Sequence, residues 1–356
     1  MPVERRASVV GTGLIGASVA LALRGQGWRV SGSDADADRL DEAMDLGIID
    51  ARGPDPEAEL AVVAVPVSRV ASVALEVLKA HPKATVTDVG SVKASIVAAV
   101  SNPRFVGGHP MAGSEQDGLK GADAEMFRGA TWVLTPTSKT GTKRYTSLRT
   151  VISSMGADVV ELSPERHDAL VALVSHVPHL AAATLMGMAT SSADEHATVL
   201  RLAAGGFRDM TRIAAGHPAI WPDIFVENRD AVIAGLDELQ HQLSAMRTAI
   251  ARGDRDALMN RLESARAARI NLPARVAPAD ELVEVRIPVP DRAGVLAEVT
   301  TLAGELDVNI VDLEIAHSVE GDRGVLIVTI DAQASDRVCD ALTERGYRPA
   351  AAPIGR

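Results

Sequence analysis

Residues 8–16 read SVVGTGLIG, and this short stretch sets the architecture of the first part of the chain. An apolar run leads into three glycines at the spacing GxGxxG, and Ala17 to Arg24 continues with the character of a helix. A second apolar run, Trp28 to Gly32, follows and ends just before Asp34. A strand, a glycine turn, a helix, a second strand and an acidic residue in this order are typical of a dinucleotide-binding βαβ unit.

The glycines and the acid have separate tasks in such a unit. Gly11 permits the tight turn, Gly13 lets the backbone approach a pyrophosphate, and Gly16 lets the helix pack closely on the strand. Asp34 can accept hydrogen bonds from ribose hydroxyls and repels a 2′-phosphate, which favours NAD over NADP, although Arg39 leaves some tolerance of NADP open. The residues expected to bind NAD are Gly11, Thr12, Gly13, Leu14, Ile15, Gly16, Asp34, Val65 and Pro66.

The alternation of strands and helices continues beyond this unit. Further strands are predicted at four apolar runs, Leu60–Val65, Thr85–Val89, Phe105–Gly108 and Trp132–Thr135. Strands that alternate with helices predict a Rossmann-type, doubly wound parallel sheet, which we assign to residues 1–165. In such sheets the ligand binds beyond the carboxyl ends of the strands.

Two polar side chains, Ser91 and His109, fall at these strand ends. A neutral histidine there can take a proton from a substrate alcohol while hydride leaves for a nicotinamide. We therefore predict that His109 is the catalytic base and that activity falls at low pH. Ser91 can orient the alcohol or the histidine. The alternative for Ser91 is a helix N-cap, and both functions can hold together.

The pattern becomes helical over residues 166–272. A periodicity of 3.6 residues predicts helices at Asp168–Thr190, Ala193–Ala204 and Trp221–Ala251. Pro178 lies within the first of them and should kink it. The third has a long apolar face, which favours a homodimer interface over packing within one chain.

Polar side chains of this helical domain are candidates for substrate contacts. Ser175 and His179 share a helix face, His167 lies on the same helix, and Arg212 follows a glycine turn at residues 205–206. An arginine can bind a carboxylate bidentately, and a surface salt bridge is the alternative. Several histidines on one helix could also indicate a metal site. No carboxylate completes a ligand set, however, so no metal is expected.

A third unit is predicted at residues 281–352, after a linker at 271–280. Its strands and helices follow in the order β-α-β-β-α-β, which is the ferredoxin-like α+β order.

Composition narrows the class of protein. The 356 residues carry a net charge of −11 and one cysteine, Cys339. The negative charge argues against a nucleic-acid partner, and a single cysteine excludes an intrachain disulfide. No apolar run reaches the roughly 18 residues of a membrane span, so no membrane partner is expected. Arg5, Arg6 and the run Ala20-Leu21-Ala22 mimic an export signal, but the intervening glycines fit it poorly, and we expect a cytoplasmic protein.

Several motifs, taken together, resemble the prephenate/arogenate dehydrogenases of tyrosine biosynthesis. They occur in order between about residues 8 and 250: GTGLIG at 11–16, DVGSVK at 88–93, GHPMAGSE at 108–115, SHVPH at 175–179, GGFRDMTRIA at 205–214 and WPDIFVEN at 221–228. The C-terminal unit resembles an ACT domain, a module that senses amino acids. Its loop at 290–296 departs from many ACT loops, which carry proline where this chain has Ala293.

The resemblance implies a role for each matching residue. It makes His109 the catalytic histidine at the ring hydroxyl of the substrate, with Ser91 as its companion. The residues implied to bind substrate are Arg212, which holds a carboxylate, His179, Glu115 near the pocket mouth, Ser175 and His167, whose role is less certain. The residues implied to bind an effector, an aromatic amino acid such as tyrosine, are Asp291, Gly294, Val295, Leu296 and Asn309.

The implied reaction is the NAD-dependent oxidative decarboxylation of prephenate to 4-hydroxyphenylpyruvate, with feedback by tyrosine through the ACT domain. Arogenate as the substrate, with tyrosine as the product, is the main alternative. A general β-hydroxyacid dehydrogenase is a second, but that group uses a catalytic lysine and lacks the GHPMAG run. A sensor without catalytic activity, which binds NAD and an amino acid, is the third.

Overall fold

A computed structural model describes residues 4–113, 118–190, 203, 205–270, 282–290, 292, 294–317 and 323–353. The chain divides into two compact units, Met1–Asn260 and Arg261–Arg356. The first unit therefore includes both the predicted dinucleotide-binding region and most of the predicted helical region. The second includes the predicted C-terminal unit.

An eight-stranded sheet is the centre of the first unit. Its strands are β1 (Arg6–Val10), β2 (Arg29–Ser33), β3 (Ala51–Arg52), β4 (Leu60–Val63), β5 (Thr85–Asp88), β6 (Phe105–Pro110), β7 (Thr131–Thr135) and β8 (Asp158–Glu161). They lie in the order β3-β2-β1-β4-β5-β6-β7-β8. The first six strands in this order are parallel and have the strand order of a Rossmann sheet.

Eleven α-helices are described between residues 14 and 270, and the last of them runs across the boundary between the two units. They are α1 (Leu14–Gly25), α2 (Ala37–Asp45), α3 (Val67–Ala80), α4 (Ala94–Ala99), α5 (Thr142–Ser154), α6 (Pro164–Val171), α7 (Val177–Thr190), α8 (Gly205–Thr211), α9 (Trp221–Glu227), α10 (Arg229–Arg252) and α11 (Arg255–Ile270). One apolar cluster of the core joins Leu23 of α1 to Trp132 of β7. A separate cluster joins Val77 of α3 to Phe105 of β6. The sheet is thus buried on both faces, which explains its almost continuous apolar strands.

The prediction of an entirely parallel sheet was wrong at one edge. Residues Gly107–Pro110 of β6 pair antiparallel with β7, and β7 then pairs parallel with β8. The described part of the connection from β6 to β7 has a single 3₁₀ turn, Gly118–Gly121. Strands joined without a crossover helix can return antiparallel, whereas α5 provides the crossover that makes β7 and β8 parallel.

The helical region also differs from its prediction in detail. A π turn, Ala172–His176, separates α6 from α7 immediately before Pro178, which has no backbone N–H to continue the α-helical ladder. Gly205 and Gly206 belong to α8 and not to a turn. The long predicted third helix breaks at Asn228 into α9 and α10. The predicted helix Ala193–Ala204 lies, apart from residue 203, outside the described residues.

By length and composition alone, the helical segment Pro164–Thr190 could cross a membrane. Polar side chains in its first turns instead pack it against the sheet. His167 and Asp168 are buried and form hydrogen bonds to residues of the sheet domain. The segment that mimics an export signal forms β1 and α1 of the sheet.

The second unit contains a four-stranded antiparallel sheet, whose strands lie in the order Ile310–His317, Arg323–Asp331, Leu282–Pro290 and Ala350–Pro353. The elements are β9 (Leu282–Pro290), α12 (Val295–Glu305), β10 (Ile310–His317), β11 (Arg323–Asp331), α13 (Ser335–Glu344) and β12 (Ala350–Pro353). Apolar residues of the strands and of both helices form its core. The element order is β-α-β-β-α-β, as the sequence pattern indicates, and the identification as an ACT domain stays a prediction.

We expect Gly16→Ala to destabilise the first unit. A Cβ at Gly16 lies 1.9 Å from the Gly11 carbonyl oxygen and 2.9 Å from Ala64 Cβ, so the helix must move away from the strand. Overpacking of this kind costs about 1–3 kcal/mol, which urea denaturation can measure. Gly25→Ala on the same helix is the matched control, because a Cβ there meets nothing within 4 Å. Equal stability of the two variants would contradict the close packing of α1.

Candidate active site

The turn between β1 and α1 is built as a cradle for a dinucleotide. Gly11 has a φ of 96°, and a Cβ there would lie 2.2 Å from the Ala64 carbonyl oxygen, so this turn requires glycine. A Cβ at Gly13 meets nothing within 4 Å, which leaves its backbone open to a ligand. The three tasks assigned to the glycines therefore fit the geometry of this turn.

Asp34, just after β2, completes the cradle. One carboxylate oxygen accepts hydrogen bonds from the Thr12 backbone N–H at 2.7 Å and the Thr12 hydroxyl at 3.0 Å. Burial raises the pKa of Asp34, but the hydrogen bonds from Asp36 and Thr12 outweigh it, and the pKa lies below its ordinary value. Asp34 is thus an ionised acceptor suited to ribose hydroxyls. Arg39 is the residue that could allow some binding of NADP. It lies 3.5 Å from Asp34 and 3.4 Å from Asp36, so it forms ion pairs with both acids.

The parallel strands bring the predicted residues to one edge of the sheet. The glycine turn follows β1, Asp34 follows β2, Val65 and Pro66 follow β4, and Ser91 follows β5. His109 is the second-last residue of β6, in the part of that strand that pairs with β7. A ligand that spans the cradle and His109 would lie along the carboxyl ends of the strands, as in other doubly wound sheets.

A buried ion pair supports the strand that carries His109. Lys93 and Asp88 are both fully buried and form a hydrogen-bonded pair. The Lys93 ammonium also donates to the Gly108 carbonyl at 2.8 Å, and the Asp88 carboxylate accepts from the Gly108 N–H at 3.1 Å and the Gly90 N–H at 2.9 Å. Burial lowers the pKa of Lys93, while Asp88 opposes that shift. The pair thereby fixes the backbone at Gly90, within the DVGSVK run, and at Gly108, just before His109.

His109 itself is buried and bonded to a second histidine. Its Nδ1 lies 2.8 Å from Nε2 of His167, and Nδ1 of His167 lies 2.7 Å from a carboxylate oxygen of Asp168. Burial, together with His167, Lys93 and His176, holds the pKa of His109 well below the ordinary histidine value. His109 is therefore neutral near pH 7, as a general base must be.

Asp168 connects the helical region to the sheet. Its two carboxylate oxygens accept hydrogen bonds from the backbone N–H groups of Lys93 and Ala94, each at 2.8 Å. These donors lie at the beginning of α4, whose N-cap residue Lys93 provides no side-chain cap. Asp168 therefore takes the capping role that the sequence pattern left open for Ser91, which is half-buried in the bend after β5.

Asn228 links this cluster to a third histidine. It donates to the Asp168 carbonyl at 2.9 Å, and its amide nitrogen lies 3.2 Å from Nδ1 of His176. Burial lowers the pKa of His176 to about 4. The break between α9 and α10 thus places a polar side chain in the core, where it satisfies groups of the helix that contains the π turn.

An aromatic stack lies next to these polar groups. The rings of His179 and Trp221 are stacked, with centroids 3.6 Å apart and an interplanar angle of 13°. Trp221 stacks in turn on Phe225, with centroids 5.4 Å apart. Burial lowers the pKa of His179. Helix α9, which carries both aromatic residues, is held to α3 by a hydrogen bond of 2.6 Å from Ser68 to Asp223.

The remaining predicted residues occupy different positions. Arg212 is exposed at the start of a 3₁₀ turn, Arg212–Ala215, that packs against α7. Ser175 is half-buried in the π turn. His167 is fully buried, and both its ring nitrogens contact protein groups, which assigns it to His109 and not to a substrate. Glu115 lies outside the described residues.

The predicted effector residues also differ in their exposure. Gly294 has a φ of 95° and precedes α12, and Leu296 and Asn309 are exposed. Val295 instead packs in the core of the second unit. Asp291 lies outside the described residues.

Four residues of this site were missed as functional candidates: Asp88, Lys93, Asp168 and Asn228. Asp88 and Lys93 lie within the DVGSVK run, and Asp168 is the neighbour of His167. For Asp88 and Lys93, the sequence did contain a signal, namely a charged residue at an otherwise apolar strand end. Only the fold brings Asn228 to Asp168.

Comparisons with known proteins agree with this geometry. Family models match at residues 19–161 (prephenate dehydrogenase, nucleotide-binding domain) and at residues 163–264 (prephenate dehydrogenase, dimerization domain). A prephenate dehydrogenase of Bacillus subtilis is 35% identical over 341 residues, which cover 91% of each chain. The crystal structure of a prephenate dehydrogenase from Aquifex aeolicus, in complex with hydroxyphenyl propionate and NAD+, matches with a TM-score of 0.71 at 32% identity over 75% of this chain and 97% of that one. A Synechocystis arogenate dehydrogenase matches with a TM-score of 0.66 at 30% identity over 74% of this chain and 98% of that one.

Lys93→Met should destabilise the fold strongly, because it leaves the Asp88 carboxylate buried without its counter-ion. Loss of one partner of a buried pair costs about 3–5 kcal/mol, to be measured by chemical denaturation. Adding Asp88→Asn should recover part of this loss. Lys83→Met is the matched control: the Lys83–Glu57 pair is exposed, and such pairs contribute less than about 1 kcal/mol. Similar losses for both lysine variants would show that the buried pair is not the support described above.

Proposed function

The chain belongs to the prephenate dehydrogenase family, and we propose that it catalyses the oxidative decarboxylation of prephenate to 4-hydroxyphenylpyruvate in tyrosine biosynthesis. It is an NAD-dependent oxidoreductase. The observation that carries the proposed reaction is a histidine held neutral by burial at the same sheet edge as the dinucleotide cradle. Such an arrangement can remove a hydroxyl proton at the place where a hydride acceptor is bound.

The reaction requires a hydride acceptor, a base and a holder for the substrate. NAD, when bound, accepts hydride from the ring carbon that bears the hydroxyl group. Gly11, Gly13 and Asp34 fit its pyrophosphate and ribose, as the open backbone of Gly13 and the acceptor geometry of Asp34 indicate. His109 takes the hydroxyl proton while the hydride leaves, so no alkoxide has to form alone.

Loss of carbon dioxide then makes the ring aromatic. The electron pair of the departing carboxylate passes into the ring and reaches the former hydroxyl oxygen, to which His109 can return its proton. The protein must not bind the ring carboxylate tightly, because that group leaves. We therefore assign Arg212 to the side-chain carboxylate of the substrate, and place Ser91 and His179 at the ring hydroxyl and the pocket wall.

Arogenate is the second candidate substrate. The similarity to a Synechocystis arogenate dehydrogenase favours keeping it, since that relative covers nearly as much of this chain as the Aquifex enzyme does. Arogenate carries an amine in place of the side-chain keto group, and the product would be tyrosine. The reaction at the ring, and hence the role of His109, is the same for both substrates.

We further propose a cytoplasmic homodimer. The match to a family model described as a dimerization domain supports the dimer. So do exposed apolar side chains on α10, at Ile233, Leu243 and Ile250. The cytoplasmic assignment is supported by the segment that mimics an export signal, since it forms β1 and α1 and contributes to the core of the first unit.

The C-terminal unit is proposed to bind an aromatic amino acid, with tyrosine as the effector that lowers activity. Its β-α-β-β-α-β order and the glycine with positive φ before α12 support this role. A ligand at this loop would meet the exposed residue Leu296. Asn309 lies at the other end of the sheet, because Ile310 pairs with Ile330, and Ile330 pairs with Val283 at the start of β9.

Purified protein with NAD+ should form NADH with prephenate, and the rate with arogenate ranks the two substrates. His109→Asn should abolish turnover while it leaves NAD binding intact, and Arg212→Ala should mainly raise KM. Because the pKa of His109 is depressed, kcat/KM should hold through neutral pH and fall only below the ordinary histidine value. No turnover with either substrate would exclude the proposed reaction and favour a sensor.

Tyrosine should lower the rate of the wild-type enzyme, and Gly294→Val should abolish this inhibition while turnover without tyrosine is retained. Valine rarely adopts the φ of 95° that Gly294 has, so the variant must rearrange the loop. Gly304→Ala on α12 is the control, because a Cβ there meets nothing within 4 Å. Undiminished inhibition of the Gly294 variant would place tyrosine at the active site instead.

A further inference from the structure

The hydrogen bonds to Asp168 determine which nitrogen of His167 carries its proton. Both carboxylate oxygens accept backbone N–H groups, from Lys93 and Ala94. The carboxylate oxygen that accepts from Lys93 also lies 2.7 Å from Nδ1 of His167. A carboxylate is an acceptor only, so the proton in this contact belongs to His167 Nδ1.

The direction continues from His167 to His109. With one proton on each ring, His167 carries its proton on Nδ1, and its Nε2 is an acceptor. Nδ1 of His109 lies 2.8 Å from that nitrogen, so it must be the donor. The proton of the neutral His109 ring is then on Nδ1, and the lone pair is on Nε2.

We propose that His167 and Asp168 are positioning residues that fix the tautomer of His109, so that Nε2 is the nitrogen that takes the substrate proton. The inference rests on the proposed function only for the identity of that proton. When the O–H bond breaks and the Nε2–H bond forms, the imidazolium ring donates from Nδ1 into a chain that ends at a carboxylate. That chain stabilises the new charge in a site where burial opposes it.

Because both rings are buried, their tautomers depend on the protein groups around them. His109 and His167 are 9% and 0% exposed, so water cannot easily select or exchange the tautomer. The ionisable groups whose charge acts on His109 are His167, Lys93 and His176, and Lys93 is paired with Asp88. Asp168 is thus the carboxylate that acts on the histidine pair, and its own position is fixed by α4.

Long-range proton–nitrogen NMR of full-length protein, labelled with ¹⁵N-histidine and free of substrate, tests the inference directly. The nine histidines make the spectrum tractable, and His109→Asn assigns the signals of His109. We expect the Nδ1–H tautomer for both His109 and His167 in the wild-type protein. An Nε2–H tautomer for His109 would overturn the proposal, whether or not prephenate is a substrate.

Variants separate positioning from simple packing. His167→Phe keeps a buried ring but cannot accept a hydrogen bond from His109. His109 should therefore lose its preference for the Nδ1–H tautomer. The value of kcat should then fall by about 10²–10⁴, as for a catalytic histidine left in the wrong tautomer. His167→Gln can supply an amide oxygen as the acceptor and should restore part of both. The affinity for NAD should change little in either variant. His81→Phe is the matched control, because this buried histidine bonds to the Val77 carbonyl and not to His109.

An unchanged tautomer and an unchanged kcat in His167→Phe would exclude the role of His167. A fall in kcat with an unchanged tautomer would also contradict the proposal, because it would make His167 a packing residue. If this variant fails to fold, the wild-type spectrum alone decides, since it reports both rings in the native protein. A protein that turns over neither substrate but shows the expected tautomers would reject the reaction and retain the inference.

Discussion

The buried ion pair between Lys93 and Asp88 is the interaction on which the site depends. Its two charges have no solvent to satisfy them, so each must find polar partners within the protein. They find these partners in the backbone of Gly90 and Gly108, one on each of two neighbouring strand ends. The requirement to satisfy a buried charge therefore fixes the turn that carries Ser91 and the strand that carries His109.

The helical region extends this support by the same principle. The carboxylate of Asp168 satisfies two N–H groups at the beginning of α4 and orders His167, which in turn contacts His109. One side chain thus caps a helix of the sheet domain and directs a histidine of the site. The catalytic geometry consequently depends on the docking of α6, so the sheet and this helix form one functional unit. A polar network of this kind is stable only when all its members are satisfied.

The electrostatics of the site follow from burial. His109, His176 and His179 all have pKa values lowered by burial, which keeps the three imidazoles neutral. Neutral rings can accept protons and stack on aromatic side chains, as His179 does on Trp221. Arg212, which we propose to bind the substrate carboxylate, is exposed, in contrast to these buried histidines. A local cation of this kind is compatible with the proposed anionic substrate in a chain whose net charge is −11.

The sequence by itself determined the βαβ unit and the β-α-β-β-α-β order of the C-terminal unit, and it predicted the roles of the three glycines and of His109. These follow from local rules: hydrophobic period, turn chemistry and the position of polar residues after strands. It could not determine the antiparallel return of β7, the π turn before Pro178, or the contacts of Lys93, Asp168 and Asn228. Those contacts join residues up to 75 positions apart, and no local pattern records which buried charge will meet which backbone group. Only the tertiary structure decided that His167 lies behind His109, because only packing brings a residue of α6 to the end of β6.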